Sequence, residues 1–118
     1  MPNINDFTQL YRRTVSGLGI SGSTVRLKLN RIKAKKLRTL THVSVENETS
    51  AYTKCRLGIN ASGRDHYLDE LTDPAAAELA VSRSDILLGE GDVFFAELTG
   101  TTDDDVLVMT CVGWEAAL

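Results

Sequence analysis

The last third of the chain, Gly89 to Trp114 (GEGDVFFAELTGTTDDDVLVMTCVGW), leaves few folds open. Two apolar runs flank Gly100-Thr101-Thr102-Asp103-Asp104-Asp105, residues that favour turns and resist strand pairing. In the first run Val93, Phe95 and Glu97 alternate with Phe94, Ala96 and Leu98. In the second, Val106, Val108, Thr110 and Val112 alternate with Leu107, Met109 and Cys111. A strand that is apolar on both faces needs cover on both, from the interior of a sandwich or from another subunit.

The preceding residues carry the same period. Val25, Leu27 and Leu29 alternate with Arg26, Lys28 and Asn30, which predicts a strand with one buried and one basic face. Leu40–Val45 and Tyr52–Ile59 flank the polar stretch Glu46–Ala51 as a second hairpin. Arg64–Leu71 fits a short strand, and Ala75–Ala80 fits a helical turn or a strand equally well. Seven or eight short strands with turn signals between them predict an all-β, antiparallel two-sheet β-sandwich, jelly-roll-like in style. Its expected core includes Val43, Val45, Leu57, Ile59, Phe95, Val108 and Met109.

The start of the chain reads differently. Ile4, Phe7, Tyr11 and Val15 recur at helical spacing, and Gly17 and Gly19 would stop a helix. A short amphipathic helix is therefore expected, followed by the small-residue hinge Ser16–Ser23. A helix this short needs a host surface, since propensity alone leaves it marginal. The expected division is an arm and hinge over residues 1–22 and a β-sandwich domain over 23–118, with Ile4, Phe7, Tyr11 and Val15 as the arm's partner-binding stripe.

Charge is unevenly placed. Residues 1–40 hold nine Lys or Arg and one acid, a net +8; residues 41–118 hold four basic residues and fifteen acids, a net −11. Arg26, Lys28, Arg31, Lys33, Lys35, Lys36 and Arg38 form a basic stripe. It suits an acidic partner, either nucleic acid or the acidic body of a neighbouring copy, or simply an edge strand protected against pairing. No aromatic residues interleave these bases, as single-strand binders usually require, so nucleic acid is the weaker reading. No run approaches the ~20 apolar residues of a membrane helix, and no basic-then-apolar leader is visible. Cys55 and Cys111 lie in apolar strand patterns and are expected as buried, reduced thiols.

Several constellations could carry chemistry. Asp103-Asp104-Asp105 lacks the spacing of a calcium loop and reads as a solvated turn. Asp65-His66 with Asp69-Glu70 could supply an acid–base pair, but no nucleophile sits in a recognisable setting. Tyr52, Tyr67 and Trp114 could line a sugar-binding surface, or pack in a core or interface. Catalytic, metal and cofactor sites are accordingly expected to be none.

The segments LTHVSVENETSAYTKCRLGI (40–59) and LTGTTDDDVLVMTCVGWE (98–115) resemble small β-sandwich structural virion proteins of tailed bacteriophages. His42–Thr49, Arg56-Leu57-Gly58-Ile59 and Thr99-Gly100-Thr101-Thr102 carry the likeness, about a third of the chain. The resemblance implies attachment to a capsid, neck or tail, a virion location, and neither cofactor nor catalysis. A capsid decoration (cement) protein or a head–tail connector, working as a homo-oligomer with other virion proteins, is the leading expectation. A glycan-binding module is the alternative, and a nucleic-acid-binding protein the third.

Overall fold

The computed structural model describes residues 9–117. Nine strands run through them in chain order: β1 (Gln9–Leu18), β2 (Val25–Lys28), β3 (Lys36–Asn47), β4 (Lys54–Ala61), β5 (Arg64–Thr72), β6 (Ala80–Val81), β7 (Ile86–Leu88), β8 (Val93–Thr99) and β9 (Val106–Ala117). One sheet has the order β1-β9-β3, with β6 and β7 both paired to the far side of β3; the other has the order β2-β8-β4-β5. Every pairing is antiparallel. Successive strands from β1 to β4 alternate between the sheets, as do β7, β8 and β9, which is the winding of a jelly roll.

The core lies between the sheets. β8 contributes Phe94, Ala96 and Leu98, β9 Leu107, Met109 and Cys111, β3 Leu40, Val43 and Val45, and β4 Cys55 and Leu57. Leu27 and Leu29, the inward set predicted for the basic strand, join them, as does Ile32. Ile59 is partly buried against this cluster. Two expected core residues sit elsewhere. Phe95 is fully buried but on the outward face of β8, and Val108 is half-buried on the outward face of β9.

The expected helix is not present in the described part of the chain. Ile4 and Phe7 lie outside the described residues, and Tyr11 and Val15 are on a strand. β1 pairs with β9 without a break from Gln9↔Glu115 to Leu18↔Val106. The i, i+4 spacing of Tyr11 and Val15 also satisfies a period of two, so both fall on the inward face with Gly17 between the sheets. An open edge on a twelve-residue apolar strand offers a ladder of backbone hydrogen bonds that a marginal short helix cannot match.

The expected hinge is likewise held in place. Gly19 N–H donates to Asp105 O at 2.8 Å, and Asp104 N–H donates to Gly19 O at 3.1 Å. Ser21 N–H donates to Asp103 Oδ1 at 2.8 Å. Ile20 N–H reaches Thr101 Oγ1 at 3.2 Å. The segment after β1 is thus strapped to the β8–β9 turn.

That turn is also not the solvated loop its composition suggested. Asp103 and Asp104 are exposed, but Asp105 is buried. Its carboxylate accepts Asn47 Nδ2 at 2.8 Å, Ser50 Oγ at 3.0 Å and Thr102 N–H at 2.8 Å. Asn47, itself fully buried, accepts the N–H groups of Thr49 and Ser50 with its Oδ1. One buried carboxylate and one buried amide therefore tie the β3–β4 connection to the β8–β9 turn. These hydrogen bonds, led by that from Asn47, hold the Asp105 carboxyl below the usual carboxylate range.

The sign of the pH dependence follows. A depressed folded-state pKa adds stability above the unfolded value, about 3.9 for Asp, and that stability is lost as pH falls through the folded value. Asp105→Asn should lower the melting temperature at neutral pH and flatten its decline below about pH 4, as read by calorimetry across pH. An unchanged acid limb would mean the clamp contributes nothing there.

Candidate interaction surfaces

The two outward faces of the sandwich differ in kind. On the β2-β8-β4-β5 sheet, Phe95 is roofed by its own chain. The Arg26 guanidinium lies 3.9 Å from the Phe95 ring centroid, and Tyr67 meets that ring edge-on at 5.7 Å. Gly58, opposite a bulge in β5 at Leu68, makes the space: a Cβ there would come within 2.7 Å of Phe95 Cζ. Arg26 Nη2 bonds Asp65 Oδ2 at 2.7 Å and Glu97 Oε2 at 2.8 Å. Tyr67 Oη donates to Glu97 Oε1 at 2.6 Å, and Arg56 stacks 3.6 Å over the Tyr67 ring. Asn60 Nδ2 is a second partner for Asp65, donating to its Oδ1 at 2.8 Å. The Asp65 carboxyl is lowered to about 2, by its bond to Arg26 and then by that to Asn60.

This network accounts for the residues that could have made an acid–base pair. Asp65 is committed to Arg26, Asp69 lies 3.3 Å from Arg83, and Glu70 lies 3.2 Å from Arg56. His66 and Asp65, neighbours on β5, point to opposite faces. No group of three or more His, Cys, Asp or Glu side chains among the described residues is placed to hold a metal ion.

The outward face of the β1-β9-β3 sheet has no such roof among the described residues. Register places Leu10, Trp114, Thr39 and Leu87 in one row across four strands. Thr14, Thr110, Ser44 and Val81 form another, and Leu18 and Val106 sit opposite each other at the far end. Leu10 is 49% exposed, Trp114 41%, Leu87 62% and Leu18 57%. Arg12, His42 and Glu46 are the ionisable side chains among these outward positions of β1, β9 and β3. The spine of the face is the outward set of β9, Val106, Val108, Thr110, Val112 and Trp114.

The face ends in opposite charge. At the Val106 end lie Glu46, Glu48, Asp103 and Asp104. The Glu46 carboxyl is pushed up, first by burial and then by Glu48 beside it. At the Trp114 end lies a basic cleft of about 300 Å³ that includes Arg12, Arg13, Arg31, Lys33, Lys36 and Arg38.

The predicted basic stripe is therefore divided. Arg26 serves the Phe95 roof, on the other sheet. Arg38 is buried, with its guanidinium 3.8 Å over the Tyr11 ring and its Nε and Nη2 on Glu115 Oε2 at 3.2 and 2.9 Å. Arg31, Lys33 and Lys36 converge on the cleft with Arg12 and Arg13 of β1. Lys28 and Lys35 are exposed and line none of it. The three aromatics proposed for sugar do not converge either: Tyr52 is buried, Tyr67 lies on β5 in one sheet, and Trp114 on β9 in the other.

Both cysteines are free and buried, as the strand patterns required. Burial pushes the Cys55 thiol up to about 11, against a smaller opposing effect of a Tyr52 hydrogen bond, and the Cys111 thiol up to about 12, against the Arg38 charge. Thiolate is the reactive species. Iodoacetamide at pH 8 should therefore leave the folded chain unmodified and label both residues in denaturant without reductant, by intact mass. Rapid labelling of the native chain would place a thiol at the surface.

No family model matches the chain, and no curated protein matches it in sequence. Its fold is similar to that of a chain in the atomic structure of Sulfolobus turreted icosahedral virus, at 17% identity and a TM-score of 0.66, over 94% of this chain and 30% of that one. A chain from an archaeal virus with the triple jelly roll fold and turret assembly gives 18% identity and a TM-score of 0.66, over 92% of this chain and 29% of that one. The present chain thus spans less than a third of the viral chains it matches. The Drosophila NLP core, whose structure bears on pentamer formation and histone binding, gives 14% identity and a TM-score of 0.51, over 92% and 98% of the two chains. At these identities the likeness is one of fold.

Proposed function

We propose that this chain is a structural subunit of a virion, a jelly roll that works by binding copies of itself and other particle proteins. The observation that carries the reading is the contrast between the faces: one sheet covers its outward aromatic with its own charged side chains, and the other leaves an apolar face open across four strands. Open apolar patches of this kind mark interaction sites. Opposed charge at the two ends of the face favours an antiparallel or head-to-tail arrangement of neighbours over a parallel one. The fold likeness to virus chains and to a pentamer-forming protein supports the same reading. The setting implied by the 40–59 and 98–115 segments is the tailed-bacteriophage particle, on the head surface or at the head–tail junction. The role is mechanical and calls for neither cofactor nor reaction.

The test is assembly. Sedimentation and native mass spectrometry of the purified chain should show a discrete oligomer, and peptide mass spectrometry of purified particles should find the chain in fixed ratio to the major capsid protein. Val108→Glu with Trp114→Glu should weaken self-association on the order of 100-fold or more, because each charge would be buried unpaired in the contact. The monomer's melting temperature should change little, since both side chains face outward. A chain that stays monomeric at high concentration and is absent from particles would defeat the proposal.

A further inference from the structure

We infer that the basic cleft beside β1 is a binding site for a small phosphate-bearing molecule. The cleft is built by the start of β1, the β2–β3 connection, the start of β3 and the end of β9. Among the described residues, six cationic side chains line it against one carboxylate, Glu115, which is already engaged by Arg38. Such a surplus of one sign in a concave space raises the local concentration of the opposite charge.

Arg38 supplies the second, independent observation. Its side chain is only 9% exposed, and it lines the cleft. Nε and Nη2 are spent on Glu115, and the guanidinium face is covered by Tyr11. Nη1 is buried and has no partner among the described residues. A buried donor without an acceptor is costly, and native structures rarely tolerate one without a function. The guanidinium is held rigid from two sides, so Nη1 is fixed in place as a charged donor for an oxyanion.

The chemistry of the lining selects the ligand. A single carboxylate would leave most of the positive charge unanswered, whereas a phosphate brings up to two negative charges and several acceptor oxygens. The volume of about 300 Å³ lies at the small end of ligand sites. A nucleic-acid strand would need aromatic faces on which to stack its bases. Tyr11, the one aromatic among the described lining residues, is buried beneath Arg38. The inference stands apart from the assembly reading, since it depends on the cleft and not on the open face.

The experiment is calorimetric titration of the full chain with inorganic phosphate at low ionic strength, beside a titration with a short single-stranded oligonucleotide. Phosphate should bind saturably at one site per chain. Arg13→Gln with Arg31→Gln, both exposed, should weaken that binding at least tenfold at an unchanged melting temperature. Arg38→Lys, which keeps the charge but loses the fixed Nη1 donor, should weaken it as well. If Arg38→Lys fails to fold, the double variant alone decides. Absence of saturable phosphate binding, or equal affinity in the double variant, would overturn the inference. Tight, steeply salt-dependent binding of the oligonucleotide with none of free phosphate would overturn it in favour of a nucleic-acid backbone.

Discussion

β9 is paired along its length on both sides, to β1 and to β3. A central strand of this kind cannot carry charge freely on either face. Its inward set, Leu107, Met109 and Cys111, fills the core between the sheets. Its outward set, three valines with Thr110 and Trp114, is as apolar as a core strand but meets solvent in the isolated chain. The architecture pairs β9 on both edges and, among the described residues, leaves one of its two apolar faces without a cover. The positions of β1, β3, β6 and β7 all follow from that strand, because each joins the sheet directly on β9 or through β3.

The opposite sheet shows what a finished outer face looks like in this molecule. Phe95 would be an equally large apolar liability, yet Arg26, Tyr67 and Gly58 enclose it, and Asp65 and Glu97 neutralise the arginine that does so. Arginine suits this place because its planar head stacks on a ring while its edges still donate hydrogen bonds. Exposed ion pairs alone stabilise little. Their value here is geometric, in holding the cover over the ring. Chemistry of this kind was available to the other sheet, whose outward positions instead hold mostly Thr, Ser, Val and Leu around Trp114, with Arg12, His42 and Glu46 as the ionisable side chains.

The strands were legible because period-two alternation is a strong signal wherever one face is buried, and Leu27, Leu29, Val43, Val45 and Leu57 fell where that period put them. The two faces of β9 were visible as well. Which of them faced inward was not, because both sets are apolar and alternation cannot choose between them. Val108 was therefore assigned to the core although it lies outside it. β1 was misread for a related reason: Tyr11 and Val15 fit a helix and a strand alike, and only the distant edge of β9 decides between the two. The clamp of Asp105 on Asn47 and the cleft around Arg38 join residues 58 and 77 positions apart, so no local pattern announces them. Local composition suggested a solvated acidic turn and a continuous basic stripe, and tertiary contacts divided both.

The pairing of β1 with β9 bears on how the chain comes to be folded. Leu10 stands opposite Trp114, so the first described strand has no partner until nearly the whole of the described chain has left the ribosome. Until then its apolar residues and its unpaired backbone are open to any other strand edge. Folds dominated by such distant pairings fold slowly, because the loop must be closed before the contact rewards it. The same delay gives neighbouring copies an interval in which one chain's β1 can be captured by another's β9. An exchange of identical strands between protomers is a low-cost route from a sandwich to a linked assembly.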